Sequence, residues 1–210
     1  HEGIDLIHSH TAHMPDLLLI FRKLDKPIIT TIHTTIKSQR LGTKFSGMSS
    51  YNLERSEKAT CIMYPALRLA ENVYFRRKRF YLTPSFWMKA WLENNFRFNG
   101  NIRVIPNSVD LSDYRSNSCS TILEELIPQE FRGRRVILYA GRLLAMKGVD
   151  TLIEAIPEIL KRDRKDELLF VFAGPGNRIR YLRKLREMRA DSYCLFTGPL
   201  RREEVIQLMM

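Results

Sequence analysis

The stretch Ile137–Ile156, ILYAGRLLAMKGVDTLIEAI, predicts a strand, a basic loop and a helix in succession. An apolar β-prone run ends at Gly141, a loop then carries Arg142 and Lys147, and Gly148 leads into an amphipathic helix. In α/β proteins this order places cations and free helix N–H groups at the edge of the sheet where phosphate binds. The stretch is neither a Walker A loop nor a GxGxxG loop. A solvated basic βα loop is the alternative interpretation.

Composition narrows the class of protein. The chain has 210 residues, of which 44% are hydrophobic and 27% charged, as in soluble globular proteins. Its apolar runs, such as Leu17 to Phe21 and Leu168 to Ala173, are far shorter than the roughly 20 residues of a membrane span. Three scattered cysteines favour neither a disulfide framework nor a zinc site. The net charge of +11 indicates an anionic partner, which could be nucleic acid, an acidic membrane or a phosphorylated substrate.

Histidines follow the first two predicted strands. Ile4 to His8 is predicted as a buried strand that ends in a polar cluster reaching His13, and Asp16 to Leu24 as a helix. Pro27 to Ile32 is the next strand, and His33, Thr34 and Thr35 follow it. Open α/β sheets bind ligands at the carboxyl ends of their strands. The histidines are therefore either structural or part of a site at this edge.

The rest of the chain continues the alternation of strands and helices. Residues 36–58 are predicted as a substrate-facing loop, and Trp87 and Trp91 are expected to pack into the core. Strands are predicted at 80–83, 102–105, 136–140, 168–173 and 193–197, and helices at 64–80, 86–94, 122–126, 150–161 and 179–189 and from about 202. Pro157 should kink its helix, although the periodicity continues through it. Two Rossmann-like parallel-sheet domains that face one another, with a ligand in the cleft, are expected.

Several ordered motifs resemble one family. They are IDLIHSH, PIITTIHTT, YLTPSFWMKAWL, VIPNSVDLSDY, ILYAGRLLAMKGVDTLIEAI, FVFAGPG and FTGPLRREEV. Together they resemble the retaining nucleotide-sugar glycosyltransferases of family 4, which have the α/β GT-B fold of two Rossmann-like domains. The resemblance implies an acceptor-side domain at 1–112, a linker at 113–132 and a donor domain at 133–210.

The resemblance also implies site residues. His33 matches the family's active-site histidine, and Arg142 and Lys147 match the pair that binds the donor diphosphate. Leu200 matches a position beside the nucleotide base. His10, Thr11 and Thr34 match positions that face the acceptor or the sugar, although glycogen synthases have an aspartate at the position of Thr11. No metal and no cofactor is expected, because the family works without a DxD-bound metal and the nucleotide-sugar is a substrate.

The resemblance also raises the expectation of an internal fragment. The family's glycine-rich loop would precede His1, and its pair of spaced glutamates would follow Met210. On that basis this chain alone is expected to have little or no transferase activity. A cytoplasmic protein is expected, because the three scattered cysteines favour a reducing compartment. The basic excess fits peripheral contact with an anionic membrane.

Three other functions remain open at this point. A basic nucleic-acid-binding α/β protein would explain the charge and the arginines at 76–79 and 178–189, but no recognition motif accompanies them, so no nucleic acid is expected. An epimerase or phosphorylase with the same fold is the second alternative. A non-catalytic nucleotide-sugar-binding protein is the third.

Overall fold

The computed structural model describes residues 3–11, 26–47, 53–76, 79–98, 100–114, 125–162 and 167–209. The chain divides into two compact units, one formed by residues 1–41 and 56–108 and the other by residues 42–55 and 109–210. The predicted helix Asp16–Leu24, residue His13 and most of the predicted helix 122–126 lie outside the described residues. The domain boundaries expected from the sequence stay a prediction.

The first unit contains a four-stranded parallel sheet in the order β1-β2-β3-β4. The strands are β1 (Ile7–Thr11), β2 (Ile28–Ile32), β3 (Phe80–Thr83) and β4 (Asn101–Val104). The prediction that β1 runs from Ile4 to His8 was wrong, because the ladder starts only where the Ile7 N–H donates to the Pro27 carbonyl at 3.0 Å. Ile4 and Leu6 are exposed. The polar residues from His8 to Thr11 therefore lie within the strand.

Four helices accompany this sheet in the described residues. They are α1 (Ile36–Phe45), α2 (Arg55–Ile62), α3 (Tyr64–Phe75) and α4 (Phe86–Asn95). The prediction of a loop over 36–58 was wrong for residues 36–45 and 55–58, which are helical, and side chains from remote parts of the sequence cap α1. Residues 48–52 lie outside the described residues. Helix α3 ends five residues earlier than predicted, since the chain must turn there to enter β3. Helix α4 agrees with its prediction, and the Ser85 hydroxyl accepts from the Met88 N–H at 3.2 Å as its N-cap.

The core of the first unit is largely aromatic. Tyr74, Phe75 and Tyr81 pack edge to face, together with buried Met88 and Leu92 of α4. Met88 and Leu92 are four residues apart, so they occupy the stripe of α4 that faces the sheet. The predicted core packing of Trp91 is confirmed, since this residue is half-buried and packs against the same core. Trp87 lies on the adjacent stripe and is 61% exposed, so its predicted burial was wrong.

The second unit contains a three-stranded parallel sheet in the order β5-β6-β7. Its elements are β5 (Arg135–Ala140), α5 (Val149–Arg162), β6 (Leu168–Ala173), α6 (Arg178–Glu187), β7 (Cys194–Gly198) and α7 (Arg202–Met209). All six residues of β6 are buried, as expected for a central parallel strand that is covered on both faces.

Helix α5 runs unbroken through Pro157. Proline removes one backbone hydrogen bond in a helix interior. The apolar stripe Ile153, Ile156 and Leu160 is buried in the core of this unit, and its burial offsets that loss. The prediction that the helix continues is confirmed. Among the described residues, no helix combines the length and the apolar character that crossing a membrane requires.

Gly174, directly after β6, lies against the backbone of Gly141, and a substitution can test this close approach. Its φ is +145°, and a Cβ there would lie 2.0 Å from the Gly141 carbonyl oxygen. Gly133 also has a positive φ, +81°, but a Cβ there meets nothing within 4 Å. We expect Gly174→Ala to lower the free energy of unfolding by about 2 kcal/mol more than Gly133→Ala does. Urea unfolding of both variants measures the difference, and equal losses would contradict the close approach of the two backbones.

Candidate functional site

Two histidine rings meet at the carboxyl edge of the first sheet. In the β1–β2 register His10 lies opposite Thr31, and His33 follows Thr31 by two residues. Because side chains alternate along a strand, His10, Thr31 and His33 share one face. His10 Nδ1 lies 3.3 Å from His33 Nε2, and the two rings stack with centroids 5.6 Å apart. One ring must donate and the other accept across this contact, so the pair shares a single proton there.

His8 and Thr31 support this pair from within the sheet. His8 Nε2 lies 2.8 Å from Thr31 Oγ1, and the His8 and His10 ring centroids are 4.3 Å apart. The His10 and His33 side chains are exposed. Thr11 pairs with Ile32 through its backbone, at the same edge. The structure thus brings the predicted histidines of two strands together.

The residues after His33 form the N-terminus of α1. The Ser38 N–H donates to Thr35 Oγ1 at 3.0 Å, and the Thr35 N–H donates to Ser38 Oγ at 3.1 Å. This reciprocal pattern is a capping box with serine as its second member. Thr34 Oγ1 also lies 3.1 Å from Ser38 Oγ. The cap therefore fixes Thr34, the neighbour of His33, at the carboxyl edge.

Two residues that the sequence analysis missed complete the cap. Glu71 Oε1 on α3 accepts from the Ile36 N–H at 2.7 Å, and Trp91 Nε1 on α4 donates to Thr35 Oγ1 at 3.1 Å. Arg68 lies 3.4 Å from Glu71 Oε2. The T-x-x-S pattern at Thr35 could have signalled the helix start. No local pattern signals its partners, because they are 35 and 56 residues away.

Burial raises the pKa of Glu71 above its ordinary 4.5, against the lowering effect of the Ile36 N–H and of Arg68. The folded state therefore binds this proton more tightly than the unfolded state does. As pH rises from 4.5 through the raised pKa, this group lowers the free energy of unfolding. We expect Glu71→Gln to remove that loss, so that wild type loses more stability than the variant between pH 4.5 and 7. Urea unfolding at both pH values tests this, and parallel losses would refute it.

The carboxyl edge of the second sheet carries the basic loop. The N–H of Gly141, which follows β5, donates to the Ala173 carbonyl at 2.8 Å, and Tyr139 Oη donates to the Arg142 carbonyl at 2.9 Å. Between the two cations, residues 143–145 are buried. Arg142 and Lys147 are exposed, and neither side chain has a hydrogen bond or ion pair with another described residue. The buried middle anchors the loop and leaves both cations facing solvent.

Gly148 connects this loop to α5. It ends the short 3-10 helix Ala145–Lys147 in the left-handed conformation, with φ +75°. Helix α5 starts at the next residue. Its first-turn N–H groups have no partners within the helix, and they carry the positive end of the helix dipole. Lys147 is therefore two residues from an unpaired helix N-terminus.

Glycines bring the neighbouring loops against this one. The Gly174 N–H donates to the Gly198 carbonyl at 2.8 Å, and the Leu143 N–H donates to the Pro175 carbonyl at 2.8 Å. A Cβ at Gly176 would lie 2.6 Å from Leu143 Cβ. The loops after β5 and β6 are thus in contact, and the second of them bonds to Gly198, the last residue of β7. Leu200 lies in the loop that follows β7, half-buried. The sequence analysis did not assign this role to the glycines.

Asp150 is a buried carboxylate in the first turn of α5. Burial raises its pKa, while Arg180 and Lys184 of α6 act in the opposite direction. Tyr181 Oη donates to Asp150 Oδ2 at 3.4 Å, and Arg180 Nη2 donates to the Leu143 carbonyl at 3.3 Å. Helix α6 therefore supports both the basic loop and the start of α5. From the sequence, Asp150 was predicted only as the start of a helix, and no role was predicted for Arg180.

Within the described ranges, no group of three His, Cys, Asp or Glu side chains is arranged to hold a metal ion. The expectation of a metal-free site stays a prediction.

Two family models cover most of the chain. The model for Glycosyltransferase Family 4 matches residues 1–113, and the model for Glycosyl transferases group 1 matches residues 134–210. A curated relative is an uncharacterized glycosyltransferase from Methanocaldococcus jannaschii, 22% identical over 98% of this chain and 49% of its own length.

Solved structures share the architecture. Sucrose-phosphate synthase from Thermosynechococcus elongatus matches with a TM-score of 0.66 and 16% identity, over 98% of this chain and 48% of that one. HepE from Anabaena, in complex with UDP and glucose, matches with a TM-score of 0.62 and 20% identity, over 98% of this chain and 50% of its own. The chain thus spans about half the length of the relatives it matches.

Two parallel α/β units with these structural neighbours define a glycosyltransferase fold of the GT-B class, present in part. The first family model matches more than half of the 210 residues. The chain belongs to Glycosyltransferase Family 4.

Proposed function

We propose that the protein transfers a sugar from a UDP- or GDP-sugar to a hydroxyl group of an acceptor, with retention of configuration and without a metal or cofactor. One observation carries this proposal. Two exposed cations, Arg142 and Lys147, flank a buried loop that leads directly into the N-terminus of α5. This is an arrangement that suits a diphosphate.

The proposed donor site is the carboxyl edge of the second sheet. When the glycosidic bond breaks, the nucleoside diphosphate leaving group gains negative charge. Arg142, Lys147 and the free N–H groups of α5 are in place before the reaction, so they can stabilise that charge without reorganising. The glycines at 174 and 176 keep side chains out of the neighbouring loops, and Leu200 is proposed to lie beside the base. The Anabaena protein HepE, which has this fold, was solved with UDP.

The proposed acceptor side is the carboxyl edge of the first sheet. His33 is proposed to lie beside the donor sugar and the reacting centre, with His10, Thr11 and Thr34 near the sugar or the acceptor. His10 holds the His33 ring from one side at 3.3 Å. In the proposed front-face reaction the acceptor oxygen attacks the anomeric carbon, the bond to the phosphate oxygen breaks, and the departing phosphate takes the acceptor proton. This route requires no side-chain nucleophile.

The relatives are about twice as long as this chain, so the acceptor and location of the whole protein also belong to the proposal. We propose a cytoplasmic enzyme. Its excess of 34 Lys and Arg over 23 Asp and Glu suits peripheral contact with an anionic membrane.

A thermal-shift panel with UDP-, GDP- and ADP-sugars and the free diphosphates tests the proposal. We expect UDP or GDP, together with its sugar conjugates, to raise the melting temperature, because a ligand that binds only the folded state stabilises it. Inorganic sulfate at the same ionic strength is the control for general anion binding. A shift with sulfate equal to that with every nucleotide, or no shift at all, would overturn the donor-site assignment.

A further inference from the structure

Helix α4 displays an exposed aromatic surface. Phe86 and Trp87, at its first two positions, are 78% and 61% exposed. Trp91, one turn later, stacks against Trp87 with ring centroids 5.3 Å apart and planes 18° from parallel. We call Phe86, Trp87 and Trp91 the tryptophan platform. Because Trp91 covers one face of the Trp87 indole, the exposure of Trp87 leaves its other face open to a ligand.

Contacts with neighbouring polar side chains hold the Trp91 ring of the platform in place. Trp91 Nε1 donates to Thr35 Oγ1 at 3.1 Å. The Lys37 ammonium lies 5.8 Å from the centroid of the Trp91 ring and donates to Asn95 Oδ1 at 2.5 Å. These contacts fix the Trp91 ring, and stacking against that ring then fixes Trp87. A ligand that stacks on Trp87 therefore binds a side chain that is already ordered, so little side-chain entropy is lost on binding.

The platform lies at the same sheet edge as the histidine pair. Thr31 pairs with Leu82, so the carboxyl ends of β2 and β3 are adjacent. His33 follows the end of β2 directly, and α4 begins three residues after the end of β3. The hydrogen bond from Trp91 to Thr35 joins the second turn of α4 to the N-cap of α1. Trp87 is nearer to the start of α4 than Trp91 and so lies toward this edge.

We propose that the tryptophan platform binds a sugar ring of the acceptor, which makes the acceptor a saccharide. This inference rests on the proposed function. An aromatic ring has a negative face that attracts polarised C–H groups, and one face of a pyranose presents several such groups together. The C–H groups of a lipid chain have no neighbouring oxygens and are not polarised in this way, so the open face of Trp87 suits a pyranose better than a lipid chain.

Saturation-transfer difference NMR tests the inference on the full chain. The probes are methyl α-D-glucopyranoside and methyl β-D-galactopyranoside, with acyclic sorbitol as the control ligand. We expect transfer to the ring C–H protons of at least one glycoside and none to sorbitol. Trp87→Ala should weaken glycoside binding about tenfold, and Trp87→Phe, which keeps a ring face, by no more than about threefold.

Phe80→Ala is the matched control variant. Phe80 is 58% exposed and opens β3 at the opposite edge of the same sheet. Its removal should leave the glycoside signal unchanged. Circular dichroism of each variant establishes that it is folded.

Three results would overturn the inference. Two of them are saturation transfer to sorbitol equal to that to the glycosides, and a glycoside signal that survives in Trp87→Ala. The third is that no glycoside binds, while wild type binds phosphatidylglycerol vesicles and Trp87→Ala does not. A UDP and GDP titration of wild type separates this failure from that of the proposed function. Nucleotide binding without a glycoside signal defeats the saccharide inference alone. Loss of both defeats the proposed function as well.

Discussion

Replacing both Arg142 and Lys147 by alanine is expected to weaken UDP or GDP binding by at least about 100-fold, because each removes a charge-assisted contact to phosphate. Both side chains are exposed and neither has a side-chain partner among the described residues, so their loss should leave the fold intact. Each single variant should account for part of the effect. Isothermal titration calorimetry with the nucleoside diphosphate measures it.

The control for this experiment changes the net charge equally. Arg162, in the last turn of α5, and Arg183, on α6, are exposed residues. Arg162→Ala/Arg183→Ala therefore removes two positive charges without touching the basic loop, and should change affinity less than about threefold, as expected for distant screened charges. Equal weakening in the two double variants would mean that binding depends on overall charge. That result would favour the basic nucleic-acid-binding alternative.

His33→Ala is expected to lower turnover by about 100- to 1000-fold, while donor affinity changes by no more than about threefold. The histidine is proposed to act at the reacting centre, whereas the diphosphate is proposed to bind to the second unit. The measurement is sugar transfer by the protein that carries this chain, combined with a donor titration of the same variant.

His8→Ala is the matched histidine control. Like His33, His8 is exposed. It lies in β1, bonds to Thr31 within the sheet, and has no proposed contact with substrate. A much smaller loss of turnover is expected for this variant. If His33→Ala keeps full turnover, His33 has no role at the reacting centre. If the protein binds donor but neither wild type nor variant transfers sugar, the non-catalytic alternative gains support.

The second unit was predictable from the sequence because its signals are local. A buried parallel strand is a continuous apolar run, and β6 matches its predicted bounds of 168–173. The basic loop also lies where Gly141 and Gly148 predict it. The same patterns could not show that Gly174 and Gly176 let the loops after β5 and β6 touch, since that approach joins residues more than 30 positions apart.

The first unit was harder to predict for the same reason. Helix α1 is polar and weakly patterned, and it depends on a hydrogen bond from Glu71 and on a cap shared with Trp91. The core status of Trp87 and Trp91 was inferred from their helical spacing, which Met88 and Leu92 share equally. Spacing indicates which residues share a stripe, but it does not say which stripe meets the sheet.

The meeting of the histidines was predictable only in part. Parallel topology places the carboxyl ends of both strands at one edge of the sheet, and the structure shows that the two strands are neighbours. The register then decides which rings touch, and it pairs His10 with Thr31. That register depends on where β1 begins, which the apolar run from Ile4 did not reveal.

Amide hydrogen exchange with and without the bound nucleoside diphosphate tests the central claim most directly, because it locates the donor on the molecule. We predict slower exchange at residues 141–150 and 174–177, where free N–H groups and close loops are proposed to face the ligand, and no change at the far end of α5. Calorimetrically verified binding of UDP or GDP that protects other segments and leaves residues 141–150 unchanged would contradict it.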